Sequence, residues 1–235
     1  MAEEVPQEVL AKADSMDDNK EFAALFDFLH EQAKAYPDNF EIMWRIARVN
    51  FDMSSEKPAQ KKEYILTSFA ITEKLLVLQP DNYLSHKWYA IVLSSLSDFR
   101  STKEKIQESV LIKEHCLKAI ELHGKGGDQT LNHLLGRWCF AVASISWMER
   151  KLASAIFASP PESSYDEALK YFLGAEGIKE NEEFLENLLW TGHTYHKLNN
   201  VAKAKEYYAR AAAVQPKSTS DIALVNEAQQ KHARL

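Results

Sequence analysis

Residues 188–216, "LLWTGHTYHKLNNVAKAKEYYARAAAVQP", decide how the rest of the chain is read. Within them Leu188, Gly192, Tyr195, Ala204, Tyr208, Ala211 and Pro216 fall in register with the roughly 34-residue tetratricopeptide repeat, with Thr191 the one departure where Leu is usual. Each residue type has a physical reason at its place. Gly192 and Ala204 are small enough to let two antiparallel helices approach closely, Tyr195 and Tyr208 fill the seam, and Pro216 cannot continue the second helix.

Working outward from this hairpin, Leu135 and Gly136 sit at first-helix positions, and Ala168, Phe172 and Ala175 at second-helix positions. The spacing differs: Gly136 to Ala168 is 32 residues, where Gly192 to Ala204 is 12, so about 20 residues around 145–163 interrupt this repeat. Within them Met148, Leu152, Ala155 and Ile156 share one helical face, Pro160-Pro161 stops it, and Ser164-x-x-Glu167 reads as a capping box opening the next helix. The insertion is therefore a short extra helix, whose apolar face either packs over the groove of the repeats or meets a membrane or a partner. Upstream the register is looser, with Ala90 matched to Ile112, Cys116 and Ala119, and Arg48 matched to Ser68.

Punctuation repeats as well. Tyr36-Pro37-Asp38-Asn39 and Gln79-Pro80-Asp81-Asn82 lie 43 residues apart, each stopping one helix and offering Asp or Asn to cap the next. "HGKGGDQ" at 123–129 takes the place of Pro as a break. The fold class is all-α: a tetratricopeptide-like helical-hairpin solenoid, an α-α superhelix, with an inserted short helix and a C-terminal capping helix. An acidic segment with a short helix over 1–18 precedes the repeats, a helix is expected over 17–35, the repeat domain runs over 19–217, and 218–235 caps it. This makes about eleven helices plus the inserted one.

Composition agrees. The chain has 235 residues, 46% apolar and 26% charged, with seven Gly and seven Pro, too few for the tight turns of an all-β protein. Neither a membrane-spanning run nor an apolar leader is visible, which predicts a cytosolic protein. Of the net charge of −6, residues 1–21 carry most, with seven acids against Lys12 and Lys20. The nearly neutral remainder argues against nucleic-acid binding.

Enzymatic signals are few. His193 and His196 lie at i, i+3 without a His-Glu-x-x-His arrangement, and Gly124-Lys125-Gly126-Gly127 lacks the spacing and hydroxyl of a P-loop. Cys116 and Cys139 stand at seam positions and read as small buried hydrophobes. No catalytic, metal or cofactor site is expected.

The register singles out one further set. Taking Gly192 as reference, the positions that point into the concave face of such a repeat receive His193, His196 and Lys197, and elsewhere Arg45, Lys87, His133 and Arg137, with Asp52 and Glu186 the acidic exceptions. Cations lining a groove attract an acidic peptide or a phosphate head group. The alternative is that each basic side chain snorkels and pairs locally.

Four stretches carry a family resemblance: "HKWYAIVLS" at 86–94, "KIQESVLIKEHCLKAIEL" at 105–122, "HLLGRWCF" at 133–140 and "FASPPESSYDEALKYFLGAE" at 157–176. Over most of residues 20–215 the chain resembles the regulator of microtubule dynamics proteins. The resemblance implies a non-enzymatic adaptor associated with tubulin and microtubules, the spindle and spindle poles in the cytoplasm, supporting chromosome segregation alongside other spindle proteins. Some relatives carry a membrane anchor and a phospholipid-binding repeat domain; the acidic N-terminus here departs from them and favours a member without an anchor. Joined to the register, the resemblance makes the cationic face a receptor for an acidic tubulin tail, with phospholipid as the other candidate ligand. The acidic N-terminal segment is an internal mimic competing for the same face.

Overall fold

A computed structural model describes residues 4–124, 127–157, 160–178 and 184–235. Among them are twelve α-helices and two single 3-10 turns. The helices form two compact units, Met1–Arg100 and Ser101–Leu235.

In the first unit α1 (Gln7–Asp18), α2 (Phe22–Ala35), α3 (Phe40–Glu56), α4 (Lys61–Leu78) and α5 (Tyr83–Leu96) pack as successive antiparallel neighbours. Both Pro-Asp-Asn marks work as the sequence predicts. The Asn39 side chain accepts the Glu41 N–H and the Asn82 side chain accepts the Leu84 N–H, each satisfying a donor that the first helical turn leaves open. From α3, Ile42, Ile46, Val49 and Met53 recur at helical spacing and are buried with Leu25 and Leu29 of α2 and Ala13 of α1.

Two expectations need correction here. The helix predicted over 17–35 is split: α1 runs to Asp18, and Lys20 then adopts a left-handed conformation (φ 57°). The Glu21 N–H reaches back to the Met16 carbonyl and the Lys20 N–H to the Asp17 carbonyl, so the break is a Schellman motif built without glycine. The small residue of the α3/α4 seam is Ala47 rather than Arg48. Ala47 is fully buried, and Ser68 on α4 donates its hydroxyl to the Ala47 carbonyl at 2.7 Å. Arg48 turns instead to α1, where it pairs with Asp17.

The second unit contains α6 (Thr102–His123), α7 (Gln129–Ser144), α8 (Trp147–Ile156), α9 (Tyr165–Gly177), α10 (Leu185–Lys197), α11 (Val201–Ala213) and α12 (Thr219–Ala233). Its two main hairpins, α7/α9 and α10/α11, share one seam rule. A Cβ on Gly136 would lie 2.6 Å from the Phe172 ring, and one on Gly192 would lie 2.7 Å from the Tyr208 ring. Both rings are fully buried, so the glycines are what let each helix pair close. Tyr195 is displaced from the seam centre and packs on Tyr207, ring centroids 5.4 Å apart. Helix α11 stops at Ala213, three residues before Pro216. Helix α12 covers α11 and α10, burying Val225 and Ala228 in their core.

The insertion is helix α8. Its own start carries a complete capping box, Ser146 with Glu149, whereas at α9 only half of the expected box forms. Ser164 accepts the Glu167 N–H, but the Glu167 carboxylate accepts the Ser163 hydroxyl. Against α6, the helix buries Ala153 alone, leaving Trp147, Met148 and Leu152 exposed. The break between α6 and α7 uses Gly124 and Gly127, both at positive φ (80° and 74°); Lys125 and Gly126 of that predicted break lie outside the described residues, as do Ala158 and Ser159 of the insertion.

Candidate functional site

The cations singled out by repeat register fall into separate settings. In the first unit, Arg45 lies on the face of α3 turned to α1, with its side chain 10% exposed. Its Nε and Nη2 donate to the two carboxylate oxygens of Asp14, each at 2.8 Å. Nη1 donates to the Glu41 carboxylate at 2.8 Å and to the Glu41 carbonyl at 3.0 Å, and the guanidinium stacks on Trp44. This is the fork geometry that makes arginine a specific carboxylate reader. Lys87, on α5, is half-buried.

Around Arg48, two carboxyl groups converge, those of Asp17 and Asp52. Asp17 is buried, and its second oxygen lacks a hydrogen-bond partner among the described residues. Burial drives the Asp17 carboxyl upward against the pull of Arg48, and burial pushes that of Asp52 up to about 7.

In the second unit the predicted residues come together on α7 and α10. Asn187 donates its Nδ2 to the Phe172 carbonyl, which leaves its oxygen to accept from His133 Nδ1 at 3.0 Å. His133 Nε2 then lies 3.7 Å from Glu186. Arg137 donates to the same Glu186 carboxylate at 2.7 Å and stacks over Trp190, 4.8 Å from its ring centroid. Burial works to raise Glu186, but the nearby His133 and the hydrogen bond and charge of Arg137 outweigh it and hold the carboxyl down to about 2.

His193 is not a cation at neutral pH. Burial, helped by Lys231 and His196, lowers it to about 4. Burial raises the Tyr208 hydroxyl to about 12, so it keeps its proton and donates to His193 Nδ1 at 2.8 Å. Nε2–H then faces Glu227 at 3.3 Å. His196 and Lys197 are exposed in the last turn of α10, where cations also suit the helix dipole.

Charge alone misses the aromatic part of this face. Phe140 packs edge-on against Tyr165 (5.1 Å between centroids) and Trp190 (5.2 Å), and Trp190 against His193 (5.4 Å). These rings are partly exposed, and with Arg137 they form a strip of the residue types that dominate binding hot spots. A signal for Phe140 exists in the sequence: it lies four residues after Gly136, the place His196 holds after Gly192. Trp190 has no such mark, because its approach to Arg137 depends on how α10 lies beside α7. The carboxylates Asp14, Glu41 and Glu227 are likewise additions of the structure, so Arg45, Arg137 and His193, all expected as cations, already face acids.

Cys116 and Cys139 are buried, and burial pushes both thiols up, away from the thiolate needed for nucleophilic or metal chemistry. Among the described residues no cluster of His, Cys, Asp and Glu is arranged to hold a metal, and no helix is long and apolar enough to cross a membrane.

The fold is that of tetratricopeptide proteins. A thermophilic TPR protein from Thermus thermophilus superposes with a TM-score of 0.64 at 12% identity, covering 96% of this chain and 97% of that one. Sequence relatives carry more information. Regulator of microtubule dynamics protein 1 of Mus musculus is 35% identical over 227 residues, 95% of this chain and 73% of that protein. The Homo sapiens protein 1 is 40% identical over 176 residues, covering 71% and 55%. Regulator of microtubule dynamics protein 3 of Xenopus laevis is 36% identical over 189 residues, covering 80% and 40%. The chain thus spans less than two thirds of the length of several of these relatives, such as 66% of the Bos taurus protein 1. A sequence profile of Regulator of microtubule dynamics protein 1-3 matches residues 9–235, and with these relatives it shows that the chain belongs to that family.

Proposed function

We propose that this protein is a non-enzymatic adaptor that associates with microtubules by holding an acidic extended segment, such as a carboxylate-rich tubulin tail, and that it serves the spindle and chromosome segregation. The observation that carries this is the Arg137 site. A half-exposed guanidinium, stacked on Trp190, holds one carboxylate at 2.7 Å within a partly exposed aromatic strip. Exchange of Glu186 for an incoming carboxylate keeps the same hydrogen bonds while the segment covers Phe140 and Tyr165. Lys197 extends the positive potential along α10, and His133 and His193 orient the polar groups beneath. Family membership supports cytoskeletal association as the setting.

The test is calorimetric titration of a synthetic glutamate-rich peptide of tubulin-tail composition into the wild type and into Arg137→Glu. Affinity at low salt should fall steeply as salt rises, because the contacts are exposed charges. Arg137→Glu should weaken binding at least tenfold; equal affinity in both proteins would remove Arg137 from the site.

A phospholipid-contacting role has one observation in its favour. Helix α8 exposes Trp147 and Met148, with Lys151 3.9 Å over the Trp147 ring, the composition of a helix that lies at a membrane surface. Sedimentation with anionic vesicles tests it. Loss of binding in Met148→Ser would support it, and absence of vesicle binding by the wild type would end it.

A further inference from the structure

Helix α1 is closed by a Schellman turn, yet its last turn carries acids where a helix favours bases. Its N-cap is Pro6, with no side-chain cap. Asp17 and Asp18 lie in its last turn and Asp14 one turn earlier, at the end where the dipole disfavours negative charge, and no basic residue lies in that turn. Of its twelve residues only Ala13 and Asp17 are buried. The buried Asp17 leaves one oxygen without a partner among the described residues.

What α1 does present is a ladder of carboxylates three residues apart. Asp14 takes the fork of Arg45 and Asp17 takes Arg48, themselves three residues apart on α3. Local sequence preference and docked structure disagree here, and such disagreement marks functional elements more than structural ones. A missing side-chain cap is shared by α2 and α4, whereas α3 starts on the Asn39 cap and α5 on the Asn82 cap; what distinguishes α1 is the pair of carboxylates it docks on Arg45 and Arg48.

We infer that the Arg45–Arg48 face of α3 is a second docking surface for an acidic segment, and that α1 is its displaceable occupant within the same chain. The partner's chemistry is read from the occupant: carboxylates three residues apart on a helical or turn-like segment, with a small apolar residue at the Ala13 position. A competing segment exchanges carboxylate for carboxylate at the same two guanidinium groups, so release of α1 leaves neither arginine unpaired. Val5 and Ala13, with Val9, Leu10 and Met16 half-buried beside them, set the apolar part of what a competitor must replace. The surface rests on the acidic-segment reading of this protein, but it lies wholly on the first unit.

The test uses the full chain in an Arg137→Glu background, so that the α7/α10 face does not contribute and the two readings fail separately. The probe is a poly-glutamate peptide, titrated at low salt into that background and into the same chain with Asp14→Asn and Asp17→Asn. The double change should raise affinity about tenfold, and adding Arg45→Ala with Arg48→Ala should abolish the gain. Unchanged affinity would overturn the inference. Should the double change disturb folding by circular dichroism, amide exchange of α1 in the unaltered chain gives the second readout. Adding poly-glutamate should speed exchange across Gln7–Asp18 at least threefold while leaving α4 unchanged, and no acceleration would overturn the inference equally.

Discussion

Gly192 lies against the face of Tyr208, so that a Cβ would stand 2.7 Å from the ring's Cδ1. Tyr208 is fully buried and its hydroxyl is held by His193, which leaves the ring little room to retreat. Gly192→Ala should therefore destabilise the protein by about 1–3 kcal/mol although alanine is the better helix former. Thermal or denaturant unfolding checks this. The same change at Gly174, where the nearest atom is Asn132 Oδ1 at 3.3 Å, should cost much less.

That pairing was legible in the sequence alone. A glycine and an aromatic at fixed offsets on two helices state a close approach, and Gly136 with Phe172 repeats the statement across a 32-residue gap that announces α8. The α3/α4 seam was not legible in the same way. Ser68 and Thr72 are fully buried there, their hydroxyls spent on the carbonyls of Ala47 and Phe69, so polar letters stand on a core face and blur its apolar stripe. The Schellman turn at Lys20 escapes because no glycine marks it. At the candidate site, the cations could be read from register, but their acids could not: Asp14 and Arg45 are 31 positions apart and meet through tertiary packing alone.

Asp52 gives the first unit a distinctive pH dependence. Its carboxyl is raised by burial to about 7 in the folded chain, against about 3.9 when unfolded. The folded state therefore holds the proton more tightly. The stability this contributes is fully present below about pH 4 and lost as pH rises towards 7. Asp52→Asn should be more stable than the wild type at pH 8, by of order 1–3 kcal/mol, with a flatter pH profile of unfolding between 4 and 7. A profile of unchanged slope would contradict this assignment.

His193 gives the second unit the opposite sign. Its folded value of about 4 lies below the ordinary 6.5, so the folded state disfavours the imidazolium. Stability is complete above about pH 6.5 and falls as pH drops towards 4. His193→Gln should lose less stability than the wild type between pH 7 and pH 5, measured by urea unfolding at each pH. At neutral pH it should be less stable, because the Tyr208 and Glu227 contacts are altered.

Arg45 is the wrong residue for a simple charge-reversal test of partner binding. Reversing it sets a carboxylate against Asp14 and Glu41 and undocks α1. Arg45→Glu should cost about 1–3 kcal/mol, less than breaking a fully buried pair because Asp14 and Glu41 are nearly half exposed, whereas Lys197→Glu, on an exposed site, should change stability by less than about 0.5 kcal/mol. Equal effects in chemical denaturation would show that the Asp14–Arg45 pair does not anchor α1.

Holding of acidic tails by the α7/α10 face is tested most directly by co-sedimentation with microtubules, intact and with their acidic tails proteolytically removed. The wild type is compared with a chain carrying Arg137→Glu, His196→Glu and Lys197→Glu, which leaves Arg45 and α1 in place. The wild type should pellet with intact microtubules, and both tail removal and the triple change should abolish most of that binding. Undiminished binding to tail-less microtubules, or by the triple variant, would contradict the tail-receptor role and move the contact to another surface.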